Sequence, residues 1–249
     1  MFNHRFDQTP SNRVALHWFM LSFNGGCINA GGFLATGKFV SHVTGFATLF
    51  GVDVSSHQIE AALGILSVPL FFLMGAFIAG LLIDRPIHRG SKPHFDWVMG
   101  LSAACLFLAA TGGVLFQFGS FGDVGLKQNY MLMVLLCLAS GLQNGAITSS
   151  SGRSVRTTHL SGLTTDLGLG LARVFTFDLK KNLFQDEMRA NYLRLGSILA
   201  FVVGSAIGAW VFMKLGYKGF ILSGLIASYA AWHGKKVKVV AHVLPAPTP

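Results

Sequence analysis

Two histidine-led blocks carry the residue types most able to do chemistry, SHVTGFATLFG at 41–51 and THLSGLTTDLG at 158–168. Aligned without gaps, they share His42 with His159, Gly45 with Gly162, Thr48 with Thr165 and Gly51 with Gly168, and Thr44 matches Ser161 in kind. An imidazole exchanges protons near neutral pH, and a hydroxyl both donates and accepts hydrogen bonds. A glycine lets a helix break, which frees backbone amides and carbonyls to bind something else. Together they suit a cradle for a small solute or an ion. The plainer alternative is that glycines and hydroxyls only complete a re-entrant turn. Asp166 is the one carboxylate in either core, with Leu49 as its counterpart. Buried, it would suit proton coupling. Beside Arg153, Arg156 and Arg173 it would be merely solvated, and those flanking charges favour this second reading.

Amides add to the set. Asn29 lies in GGCINAGGF and Gln143–Asn144 in ASGLQNGAI, both within apolar runs, and Asn29 aligns with Asn144 once a two-residue gap separates it from the block match. An amide without a partner is costly in lipid, so these groups must face the protein interior or a wet cavity. Hydrogen bonding between helices is the equally simple role. The candidate substrate-binding residues are therefore Asn29, His42, Thr44, Gly45 and Thr48 in the first half. In the second half they are Gln143, Asn144, His159, Ser161, Gly162, Thr165 and Asp166. Cys27, Cys105 and Cys137 lack the spacing of a metal site or disulfide framework. No phosphate loop, dinucleotide fingerprint, HExxH or nucleophile elbow occurs. Neither a cofactor, a metal nor a catalytic centre is expected.

The elements that hold these residues are membrane helices. The 249 residues are 52% hydrophobic and 12% charged with mean hydropathy +0.55, whereas soluble domains carry about 25% charged residues. Six apolar runs approach the length that crosses about 30 Å of hydrocarbon: 15–34, 61–83, 97–118, 130–148, 195–213 and 217–232. The first, which follows Arg5 and Arg13, reads as a retained signal-anchor helix. The spacings Gly75-x-x-x-Ala79, Gly141-x-x-x-Gly145 and Gly204-x-x-x-Gly208 let helices approach closely.

A net charge of +9 explains itself by orientation rather than by nucleic acid. With six crossings and the N-terminus inside, fifteen of the nineteen Lys and Arg residues are cytoplasmic, leaving Lys38, Lys127, Lys214 and Lys218 outside. Eight crossings would divide them eleven to eight. A helix over 39–52 would also reach only about 21 Å. The expected fold is thus an all-α polytopic membrane bundle of six transmembrane helices with two short interrupted or re-entrant motif segments. Each half has an odd number of crossings, so the halves form an inverted 3+3 repeat. The division is a cytoplasmic tail at 1–13, a first repeat at 14–120, a second at 121–233 and a basic, Pro-rich cytoplasmic tail at 234–249. Within the second repeat, 173–194 spaces Phe175, Leu179 and Leu183 by four, as in an amphipathic helix lying on the inner membrane surface. A solvated loop docked on the helix ends is the alternative.

The run GGCINAGGFLATGKFVSHVTGFATLFG resembles the first signature of the YoaK-like family of bacterial membrane proteins, and GLQNGAITSSSGRSVRTTHLSGLTTDLG resembles its second. The resemblance implies an integral protein of the bacterial inner membrane with about six helices and no established biochemical role. Two departures stand out: the family usually has aspartate where this chain has Asn29, and its Met-Thr-Gly-Asn is here Val43-Thr44-Gly45-Phe46. Any mechanism that needs that acid or that terminal amide is weakened in this chain.

The leading expectation is a small transporter or permease, a non-enzyme whose partners are membrane lipids and a small-molecule or ion substrate, with the site between the two motif segments. The oligomeric state stays open. The rival is a structural or regulatory membrane protein that engages lipid or a partner through its basic cytoplasmic face, including Lys180, Lys181, Arg189 and Arg194.

Overall fold

The computed structural model describes residues 12–122, 126–151, 160–176 and 181–234, and every regular element within them is helical. In chain order these are α1 (Asn12–Thr36), α2 (Val43–Ser55), α3 (Ile59–Leu82), the short α4 (Asp84–His88) and α5 (Phe95–Val114). Then come α6 (Leu126–Ser150), α7 (Leu160–Thr176), α8 (Lys181–Leu215), a 3-10 turn at Gly216–Gly219 and α9 (Phe220–Gly234). The tails at 1–11 and 235–249, with Arg153, Arg156 and Lys180, lie outside the described residues.

Among the described residues, four helical runs are long and apolar enough to cross a membrane: Ile59–His88, Phe95–Val114, Asn129–Ser150 and Leu183–Gly234. The count of six expected above is therefore met by four such runs. α1 has the length, 25 residues, but His17, Asn24, Asn29 and its glycines dilute its apolar character. The expected runs 195–213 and 217–232 fall in a single run of 52 residues, divided at the 3-10 turn where Gly216 takes φ +55°. Within 173–194, Arg173–Thr176 belong to α7 and 181–194 to α8, which runs on to Leu215, while 177–180 lie outside the described residues. The sequence KNLFQDEMRANYLR contains neither Gly nor Pro, so a helix begun there propagates into the apolar part.

The bundle turns apolar side chains outward. Leu63, Leu70, Leu73 and Phe77 of α3 and Leu199, Val202, Trp210 and Met213 of α8 are all exposed. Water tolerates no apolar surface of that extent, and lipid does.

Inside, the two most extensive interfaces join α1 to α8 and α3 to α6. Both depend on missing side chains. A Cβ on Gly26 would strike the Phe201 carbonyl oxygen, and one on Gly204 would strike that of Phe23. A Cβ on Gly141 would strike the Phe72 carbonyl, and one on Gly75 that of Leu138. Backbones this close gain van der Waals contact along both helices, which is what drives association where lipid removes the hydrophobic term.

The contacts also give each helix a direction. Phe23 and Cys27 meet Gly204 and Gly208, so α1 and α8 run parallel. Phe72 and Ala76 meet Gly141 and Gly145, so α3 and α6 are parallel too. α1 opposes α6, because Asn24 meets Gln143 while Gly32 lies near Leu136. α5 and α9 are antiparallel: Gly113 lies on Tyr217 just before α9, Gly224 on Phe107, and Gly234 on Asp96.

Candidate functional site

The polar centre of the bundle lies where α1 meets α6. Asn24 Nδ2 donates to Gln143 Oε1 at 2.9 Å, and Gln143 Nε2 donates to the Leu21 carbonyl at 2.8 Å. Asn24 and Gln143 are 0% and 1% exposed. The Leu21 carbonyl lies within α1, so Gln143 reaches a backbone group already engaged in the helix. Asn24 Oδ1 and the nearby Ser22 Oγ have no hydrogen-bond partner among the described residues. A buried acceptor left unpaired costs about 1–3 kcal/mol. The pair leaves one amide acceptor unpaired among the described residues at the join of α1 and α6. Asn144, one residue on, is also buried and has a partner of its own.

A second polar group lies toward the C-terminal end of α1. The chain reverses after Thr36 at Gly37, whose φ of +69° few side chains tolerate. It then runs back along α1. Phe39 stacks on Phe33 at 4.5 Å, Val40 fills the space over Gly32, and Ser41 Oγ donates to Asn29 Oδ1 at 2.9 Å. Cys137 Sγ donates to the Val40 carbonyl at 2.9 Å, which ties the return segment to α6. Asn29 precedes the end of α1 by two turns, about 10 Å. α2 therefore starts below the end of α1, and as a helix of 13 residues, about 20 Å long, it cannot cross.

His42 precedes α2, exposed, with its ring edge-on to Phe39 at 6.2 Å, and it makes no side-chain cap. The Gly45 amide donates to the His42 carbonyl at 2.9 Å. A Cβ at Gly45 would lie 3.0 Å from His42 Nδ1, so the glycine leaves room for the imidazole. Thr44 and Thr48 face outward, and Thr48 Oγ1 donates to the Thr44 carbonyl at 3.2 Å.

In the second block, His159 belongs to 152–159 and lies outside the described residues. Ser161, Gly162, Thr165 and Asp166 are on the exposed face of α7, and Thr165 Oγ1 donates to the Ser161 carbonyl at 2.9 Å. Asp166 is exposed. The buried stripe of α7 is instead Leu163 and Gly170, with Leu167 and Val174 half-buried.

The candidate residues thus fall into three groups. Gln143 joins Asn24, Asn29 joins Ser41, and the block residues of α2 and α7 stand apart, because α2 packs on α3, α7 packs on α8, and the two do not pack on each other. The sequence reading passed over Asn24, although an amide in an apolar run beside Gly25 and Gly26 is the same signal that picked out Asn29. It also passed over Glu187 and Asn191, which meet Arg173 and Arg194 at the α7–α8 contact and which only the packing of those helices brings into view.

A family model described as a protein of unknown function, DUF1275, matches residues 17–232. The chain belongs to that family. The match covers both motif blocks, the α1–α6 centre and every described helix but the outermost turns of α1 and α9. It agrees with the expectation of a family without an assigned activity, while the YoaK-like name goes beyond what the match states. No curated protein and no solved structure gives a match.

Proposed function

We propose that this chain is a small-solute transporter or permease of the bacterial inner membrane, an inverted 3+3 repeat of six crossings with its site between α1 and α6. The observation that carries the reading is the buried Asn24–Gln143 pair, in which Asn24 Oδ1 has no partner among the described residues and is the acceptor a ligand donor would meet.

Several features support the inverted repeat. One constant shift in numbering carries Phe23, Gly26 and Asn29 of α1 onto Leu138, Gly141 and Asn144 of α6, and another carries Phe72 and Gly75 onto Phe201 and Gly204. Under those shifts the two glycine-on-carbonyl crossings become the same crossing. α2 and α7 hold matched block residues and repeat the same hydroxyl-to-carbonyl bond, Thr48 to Thr44 and Thr165 to Ser161.

Helix direction supports six crossings over eight. If α2 and α7 also crossed, α5 and α9 would be parallel, and they are antiparallel. α2, packed on α3, and α7, packed on α8, are then a pair of candidate gates for alternating access. The excess of Lys and Arg puts the α7 end and both termini in the cytoplasm.

The test reconstitutes the protein in phosphatidylethanolamine–phosphatidylglycerol vesicles and follows labelled amino acids, organic acids and monovalent ions. Flux of at least one class is expected, with loss in Asn24→Leu and Gln143→Leu and reduction in Asn144→Ala and His159→Ala. Flux that is absent for every class, or unchanged in all four variants, overturns the reading. A second reading, a regulatory protein acting through its basic face, draws on the charged α7–α8 contact. It requires that neutralising Lys180, Lys181, Arg189 and Arg194 abolish the cellular phenotype with flux intact.

A further inference from the structure

The contact between α7 and α8 contains more hydrogen-bond donors than acceptors. Arg194 Nη1 donates to Asn191 Oδ1 at 2.7 Å and to Glu187 Oε1 at 3.0 Å, and Arg173 Nη1 of α7 approaches Glu187 at 3.4 Å. All three α8 side chains close over Gly170, where a Cβ would strike Asn191 Oδ1 and meet Glu187 and Arg194. Asn191 is 5% exposed, and its Nδ2 has no partner among the described residues. Rotating the amide gives no relief, because it would turn the N–H groups toward the guanidinium that Oδ1 now accepts from. Among the described residues these two guanidinium groups share one carboxylate, Glu187, beside a buried N–H that has no partner there. The missing complement is an acceptor with negative charge.

The depth of the cluster narrows its chemistry. The apolar part of α8, 195–215, extends about 31 Å, close to the hydrocarbon thickness of about 30 Å. Arg194 therefore stands at the first polar layer beyond the chains, and Glu187 lies about 10 Å further out. That is the layer of phosphate groups. Guanidinium groups pair with phosphate oxygens through parallel N–H donors, and basic clefts between membrane helices on the cytoplasmic side hold anionic head groups.

We propose that the α7–α8 junction is a binding site for a phosphate-class oxyanion, held by Arg194, Arg173 and the Asn191 amide N–H. The site is distinct from the α1–α6 centre, to which none of these side chains belongs. The oxyanion is either a lipid head group or free phosphate.

The experiment measures the thermal unfolding midpoint of the full-length protein in maltoside micelles. It is read with inorganic phosphate against chloride at equal ionic strength, and with added phosphatidylglycerol, alongside native mass spectrometry to count retained lipid. A rise in midpoint with phosphatidylglycerol alone assigns a head group; a rise with inorganic phosphate alone assigns the free anion. Asn191→Asp keeps the acceptor for Arg194 and adds attraction to it, so a purely structural residue tolerates the change. Here it is expected to lower apparent affinity at least tenfold without loss of baseline stability. Arg194→Lys retains part of the effect and Arg194→Gln removes it. Should Arg194→Gln fail to fold, Asn191→Asp carries the test alone. A midpoint that neither phosphate nor phosphatidylglycerol moves, or a rise equal in wild type and Asn191→Asp, overturns the proposal.

Discussion

The α2–α3 and α7–α8 contacts begin alike and end differently. Each short helix holds the matched residues of its block and leaves its hydroxyl-bearing face exposed. Beyond the first turns the chemistry diverges. Gly170, Glu187, Asn191 and Arg194 make a polar seam between α7 and α8. The aligned positions in the first half are Asp53, Gln58, Ala62 and Ile65, and there α2 meets α3 through Phe46 and half-buried Leu49. Equal backbones have thus been given an apolar contact at one end of the bundle and a charged one at the other. A cover held by apolar packing moves by sliding, whereas one held by ion pairs responds to charge in its surroundings.

The largest effect should come from what the halves share. Gly26→Val and Gly141→Val drive a side chain into a facing carbonyl, and each is expected to cost about 3 kcal/mol or more, enough to abolish folded protein in detergent. Size-exclusion chromatography with thermal unfolding checks this, and a tolerated change in one half alone would break the equivalence of the two crossings. Next is the amide centre. Gln143→Leu should destabilise by about 1–2 kcal/mol, through the loss of two interhelical bonds and the stranding of Asn24, whereas Asn29→Leu loses one partly buried bond and about 0.6 kcal/mol. Unfolding midpoints in the same micelles rank the pair.

The divergent contact gives a smaller difference. Gly170→Ala must displace three side chains and is expected to cost about 1 kcal/mol, while the aligned Asp53→Ala should change stability by no more than about 0.5 kcal/mol. Similar values for both would show that the seam contributes nothing specific. Smallest of all, Thr48→Val and Thr165→Val remove exposed hydroxyls bonded only within their own helices, so both should stay within about 0.5 kcal/mol of wild type. A large loss of flux without loss of stability in either would return the exposed block faces to the transport pathway.

Much of this was legible before any coordinates. Apolar length marked helical runs, whereas the block glycines suggested interrupted or re-entrant segments, and α2 and α7 instead run helical through Gly45 and Gly162 with the same hydroxyl-to-carbonyl bonds, because local hydrogen bonding depends on neighbours in the chain. The glycine spacings marked the helix crossings for a similar reason, since close approach requires an absent side chain wherever it occurs. The boundary of α8 was less legible. Periodicity describes the face a helix presents and not where it ends, so 173–194 read as one element, whereas 181–194 belong to α8, which continues to Leu215.

Composition and periodicity, which act through the solvent and through near neighbours, were enough to establish an all-helical membrane chain with a repeated motif. Which polar groups meet was settled by contacts remote in the chain. Asn24 finds Gln143 across 119 positions, and Ser41 reaches Asn29 only because the backbone turns back at Gly37. Hydrogen bonds are short and directional, so a partner's identity depends on the crossing register of whole helices, and no local pattern encodes that register.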